Sequence, residues 1–123
     1  MNNMPIFSSD RLFEVWQYTV SHRQLLMRSN KSYSAPTRLE VLFKDVAFMA
    51  VPPVMKGMSI TNCTTADEEL LLNLAALPSS KPWYRLEADG AVGYIAAGTI
   101  VTNEDELGYE EASPLLAVLP FGS

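Results

Sequence analysis

Between Thr37 and Lys44 the side chains alternate: Leu39, Val41 and Phe43 fall on one face, Arg38, Glu40 and Lys44 on the other. A period of two belongs to an extended strand, whereas a helix would scatter these residues around its axis. The segment therefore predicts a strand with one face on a core and one half-exposed to water. No other stretch of the chain constrains the fold as tightly.

The flanking segments speak the same language. Leu12, Phe13, Val15, Trp16, Tyr18 and Val20 are interleaved with Glu14, Gln17 and Thr19, and the alternation slips by one near Val15 and Trp16. That slip predicts a bulge, or a strand buried on both faces. Ser21-His22-Arg23 breaks the pattern and Gln24 to Met27 resumes it, which predicts two antiparallel strands joined at the break; one long bent strand is the alternative. Ser29 to Pro36 is turn chemistry. Lys44-Asp45 predicts a corner, Val46 to Val51 a second strand, and Pro52-Pro53 its end, because proline cannot donate to a ladder.

Val54 to Gly57 reads as a loop before a short apolar piece at Met58 and Ile60. Thr65 and Glu68 have capping-box spacing, and Asp67, Glu68 and Glu69 suit the positive end of a helix dipole. These features predict a helix over about 66–77, apolar nearly all round and hence buried; a buried strand, Glu69 to Ala75, is the competing reading. Beyond the break at Pro78 to Pro82, Trp83 to Ala88 and Ala91 to Thr102 flank Asp89-Gly90, a strong two-residue hairpin signal. Small residues at 91, 93, 96, 97 and 98 leave room for large neighbours such as Trp83 and Tyr84. Asn103 to Glu111 carries five acidic residues and no basic one, and reads as a solvated loop. Leu115 to Leu119 reads as a last strand closed by Pro120.

The sum is one mainly β domain over residues 1–123. Its expected form is an antiparallel sandwich or partly open barrel of seven or eight short strands with at most one helix. A chain of 123 residues, 48% hydrophobic and 19% charged, is long and apolar enough for one core. Its net charge of -5 repels phosphate backbones, so nucleic acid is not an expected partner. No apolar run approaches the ~20 residues of a membrane-spanning helix. The single cysteine, Cys63, excludes an internal disulfide and, with no signal-peptide pattern at Met1 to Pro5, points to a cytoplasmic setting.

Residues that could carry chemistry are few. His22 is the only histidine; it reads either as a general base or as a hydrogen-bonding turn residue, the commoner role. Cys63 precedes the expected helix, where a thiolate would be stabilised, but no nucleophile signature surrounds it and a small buried hydrophobe is the plainer reading. One histidine and one cysteine cannot make a structural zinc site, and the acids at 104–106 and 110–111 lack calcium-loop spacing. No phosphate-binding glycine loop is present, so no cofactor is expected.

The remaining feature is VPPVMKGM, residues 51–58. Here Val54, Met55 and Met58 offer an adaptable apolar contact surface, unless they turn inward and seal the core. A small non-catalytic, bacterial-type binding domain follows as the first expectation: an inhibitor or immunity-type partner of another protein, or a homodimer formed through Val46 to Val51 and the Met/Pro loop. The second is a small enzyme or ligand-binding barrel using His22 or a carboxylate pair in an enclosed pocket. The Asp89-Gly90 turn yields the first test. Replacing Gly90 with valine places a β-branched residue at positive φ and lowers stability by more than ~1 kcal/mol. Urea melts of the two proteins give the answer, and an unchanged midpoint means the turn lies elsewhere.

Overall fold

The computed structural model describes residues 4–75, 81–108 and 111–115. They form six antiparallel strands and one helix. In chain order these are β1 (Phe7–Thr19), β2 (Gln24–Ser29), β3 (Arg38–Ala50), β4 (Val54–Asn62), α1 (Thr65–Ala75), β5 (Trp83–Ala88) and β6 (Ala91–Asp105). The strands close into a ring in the order β1-β2-β3-β6-β5-β4, with β4 returning to β1. Closure is uneven. β3 and β6 pair from Arg38↔Asp105 to Ala50↔Tyr94, whereas β4 and β5 meet only over Ser59 to Asn62.

Mainly β, antiparallel and one helix is the class the alternation predicts; the barrel is the form it takes. The expected strand count falls to six among the described residues for a local reason. Lys44-Asp45 is no corner: Asp45 adopts a left-handed φ of 56° while β3 runs on beside β6, shifting register once between Val46 and Phe48. An uninterrupted fifteen-residue neighbour keeps the strand extended through a kink that isolated residues read as a turn. Val54 to Gly57 is likewise the first half of β4 rather than a loop. The chain at Asn103 to Asp105 is still β6, because Asp105 sits opposite Arg38. Leu115 lies in a turn, and the rest of the expected last strand, 116–119, falls outside the described residues.

Two turns form where expected. Val20 to Arg23 joins β1 to β2, and the β1–β2 register shifts between Val15 and Gln17. Ala88 and Ala91 face one another across Asp89-Gly90, where Gly90 has φ 73° and open space around its α-carbon. A side chain there meets only backbone strain.

The inside of the ring is solid. Phe13, Leu25, Met27, Val41, Phe43, Val46, Met55, Met58, Ile60, Tyr84, Leu86, Ile95 and Ala97 form one apolar cluster. Gly93 lets the Ala50-Val51 backbone approach, since a β-carbon there would stand 3.1 Å from the Ala50 carbonyl oxygen and 3.2 Å from Val51 Cα. On the outside, Ala96 lies between Phe48 and Trp83, whose rings meet at 5.2 Å.

The polar face of the alternating strand is where expectation and structure part. Arg38 and Glu40 are fully buried rather than half-exposed, together with Arg28, Leu26 and Leu42 on the same outer surface. Arg28 Nε donates to Glu40 Oε2 at 2.8 Å, and its guanidinium lies over the Trp16 ring at 4.5 Å. Arg38 Nη1 donates to the carbonyls of Gly108 (3.0 Å) and Glu111 (2.6 Å), and Arg38 Nη2 to Asp105 (3.2 Å). Ser113 Oγ donates to Glu40 Oε1 at 2.7 Å. Two guanidiniums thus face two carboxylates under a segment crossing the outside of β2 and β3. Glu40 is the hinge of this set. Glu40→Ala leaves both cations buried beside a missing carboxylate and destabilises the fold by about 3–5 kcal/mol, read as a lower urea midpoint. A loss below ~1 kcal/mol contradicts the burial described here.

Candidate functional site

His22 lies half-buried in the β1–β2 turn, beyond Thr19, whereas Cys63 follows β4 beyond the level of Phe7. The two are at opposite ends of β1, roughly 40 Å apart along a strand of that length. They cannot act together. Cys63 donates its backbone N–H to the Trp83 carbonyl at 3.0 Å and is half-buried. Burial, reinforced by Asp67 and Glu68, pushes its thiol up to about 12. Burial first, and then the two acids of the first helical turn, oppose the thiolate that this position was expected to favour.

Asp67 does its structural work one residue earlier than the capping spacing of Thr65 and Glu68 implies. Thr64, rather than Thr65, is the N-cap. Its Oγ1 accepts from the Asp67 N–H at 3.2 Å, and Asp67 Oδ2 accepts from the Thr64 N–H at 2.9 Å, the reciprocal pair of a capping box. Asp67 Oδ1 also accepts from Arg85 Nη1 (2.8 Å) and Tyr94 Oη (3.2 Å), docking α1 on β5 and β6. Burial works to raise the Asp67 pKa, but the bonds from Thr64 and Arg85 hold it below the ordinary value. The helix is not buried all round: Asp67 and Leu71 face the barrel, while Leu70 and Leu72 are exposed. Its expected last residues, 76 and 77, fall outside the described part.

Of the Met/Pro segment, Met55 and Met58 point into the core and Val54 is about half-exposed. The apolar surface at this end comes instead from neighbours. Val15, Tyr18, Leu25, Met49, Ala50, Val51 and Pro53 line a groove of about 360 Å³ at the barrel mouth. Past Phe43, β3 has β6 on one side but no longer β2 on the other; there the Val46 N–H reaches the Arg23 carbonyl at 2.9 Å. Met49 stands exposed beside this gap.

A second, polar groove of about 690 Å³ runs between β1 and the loop after β2. Asp10, Leu12 and Glu14 line one side; Ser29, Asn30, Lys31, Ser32 and Ser34 line the other. Arg11 staples the two sides. Its guanidinium donates to Ser29 Oγ (3.1 Å), Thr37 Oγ1 (3.1 Å) and the Ser29 carbonyl (3.3 Å), and also to the Thr37 carbonyl. Asn30 buries its side-chain oxygen with no hydrogen-bond partner among the described residues. A tight Ser32↔Ala35 bridge holds the loop and leaves Tyr33 wholly exposed at its tip. Neither Arg11 nor Asn30 stands out in the sequence; only the serine-rich composition of residues 29–36 marks the place.

Among the described residues no three His, Cys, Asp or Glu side chains converge as metal ligands, and no helix is long and apolar enough to cross a membrane. Comparison with protein-family models, with curated proteins and with solved structures finds no match. The raised thiol generates a direct test. Cys63 should react slowly with a thiol reagent at neutral pH in the folded protein and at the ordinary rate in denaturant, because only the thiolate attacks. Fast labelling of the native state contradicts the geometry around Asp67.

Proposed function

We propose that the chain is a small non-catalytic protein-interaction domain, of inhibitor or immunity type, that binds a protein partner through the outside of its barrel. The observation that carries this reading is the packing of the interior. Thirteen apolar side chains fill the ring, so the enclosed pocket required by an enzyme or ligand-carrying barrel has no room there. What such a domain has to offer lies on its surface. At the barrel mouth an apolar groove meets the half-paired end of β3, with Met49 and Val54 exposed at 39% and 48%. Exposed apolar groups beside a concave surface are the usual anchors of a protein contact.

A second copy is one such partner, since the Val46–Ala50 half of β3 carries no charged side chain and lacks a strand on one side. Met49→Glu puts a charge into this contact without touching the core. The expected outcome is loss of the partner captured from the native host by the wild-type protein, or, if the partner is a second copy, a fall in mass from twice 13.6 kDa to the monomer. Circular dichroism should show the fold unchanged. A partner held equally by Met49→Glu and Val54→Glu removes the mouth from the proposal, and a wild-type protein that stays monomeric and partnerless removes the reading itself.

A further inference from the structure

Strand pairing fixes the chain on either side of α1. Before the helix, the β4–β5 ladder runs to Asn62↔Tyr84, and the Cys63 N–H donates to the Trp83 carbonyl at 3.0 Å. After it, Trp83 opens β5 opposite Ala96 of β6. α1 therefore lies in a connection that leaves the sheet and rejoins it at neighbouring points. It takes no part in the ring. The six strands pair with one another, and the apolar cluster inside them contains no residue of α1.

The contact that holds the helix down is narrow. Of residues 65–73, only Asp67 and Leu71 are buried, each 5% exposed. They are four apart, about one helical turn, and so form a single line of contact. The other side chains, Leu70 and Leu72 among them, meet solvent. Asp67 has two tasks at once. Its Oδ2 accepts from the Thr64 N–H and Oγ1 at 2.9 and 3.0 Å, which closes the cap, while its Oδ1 accepts from Arg85 and Tyr94, which docks the helix. A helix of eleven residues is marginal in water by itself, so one that lifts off the barrel also unwinds.

From this placement we infer that α1 is a latch: it releases from the barrel as a unit while the ring stays closed, and the Asp67 carboxylate is its bolt. Release uncovers Arg85 and Tyr94 and leaves the barrel core untouched. Elements anchored by few apolar contacts open locally at lower cost than the global fold. Nothing in this depends on the interaction role proposed above.

Acid draws the bolt. The groups around Asp67 are Arg85 on β5 with Glu87 beside it, Tyr94 on β6, Cys63 before the helix and Glu68 within it. Arg85 is the cation among them. Burial works to raise the Asp67 pKa, but the bonds from Thr64 and Arg85 hold it below the ordinary value. Its contribution to docking is therefore complete above the ordinary carboxylate value and is lost as pH falls through the depressed one. The contact of Leu71 has no such dependence.

Hydrogen exchange of the ¹⁵N-labelled full chain provides the test, with each rate referred to that of the unfolded chain at the same pH. At neutral pH the Leu70, Leu71 and Leu72 amides should be at least about a hundredfold less protected than those of Leu26 and Leu42 in the ring. Low urea should speed the barrel amides far more than the helical ones, because opening α1 exposes little surface. This comparison needs no variant. Asp67→Asn then removes the charge and keeps the shape. It should lower α1 protection about tenfold at neutral pH, leave Leu26 and Leu42 as they are, and flatten the loss of α1 protection that acid causes in the wild type. Three results overturn the latch: one shared protection and urea response for helix and barrel, equal loss of protection in both on Asp67→Asn, or an unchanged acid response of α1 in that variant.

Discussion

A sheet of six strands closes on itself only if neighbouring strands are staggered, and that stagger organises this molecule. Each long strand is shared between two partners along different parts of its length. β1 serves β4 with its first half and β2 with its second; β3 serves β2 over Leu39 to Phe43 and β6 throughout. The bulges at Ser9–Leu12, Val15–Gln17 and Val46–Phe48 bend the strands into the ring. Stagger also leaves the two half-paired stretches, Phe7 to Phe13 of β1 and Val46 to Ala50 of β3. Both grooves described above lie beside one of them. The surface proposed for binding is thus a consequence of closing the ring.

The buried charges outside the ring address a different problem. A barrel packed only from within would tolerate sliding of β2 along β3, because one apolar residue resembles another. Arg28 opposite Glu40, and Arg38 opposite Asp105, set β2, β3 and β6 in one relative position. A slip leaves a buried guanidinium without its carboxylate, a cost of several kcal/mol. The same groups hold the carbonyls of Gly108 and Glu111, so register and the path of the chain after β6 are decided together. Burial works to raise the Asp105 pKa, but the Leu107 N–H and Arg38 keep it below the ordinary value. A depressed carboxylate stabilises the fold above its ordinary pKa and loses that contribution as acid protonates it.

The candidate sites were legible to different degrees. Residues 51–58 rightly drew notice as an unusual apolar stretch, but composition does not say which side of a strand a methionine takes. Once Val54–Asn62 is a strand, its alternation sends Met55, Met58 and Ile60 inward and leaves Val54 outside. Arg11 is invisible by another route: its partners Ser29 and Thr37 are 18 and 26 residues away. A groove built across such separations has no local signature.

By itself the sequence determined the local conformations. Alternation made the strands, Asp89-Gly90 the hairpin, Ser21 to Arg23 the first turn and the acidic start of α1 the helix, all from interactions between residues near in the chain. Tertiary structure alone decided what depends on distant neighbours. It carried β3 straight through Lys44-Asp45 because β6 runs beside it, and moved the cap from Thr65 to Thr64 as Asp67 turned toward Arg85 and Tyr94. It also buried Arg38 and Glu40, whose charges in isolation call for water. Alternation specifies that a face is polar; whether that face meets solvent or its opposite charges depends on where the rest of the chain is laid.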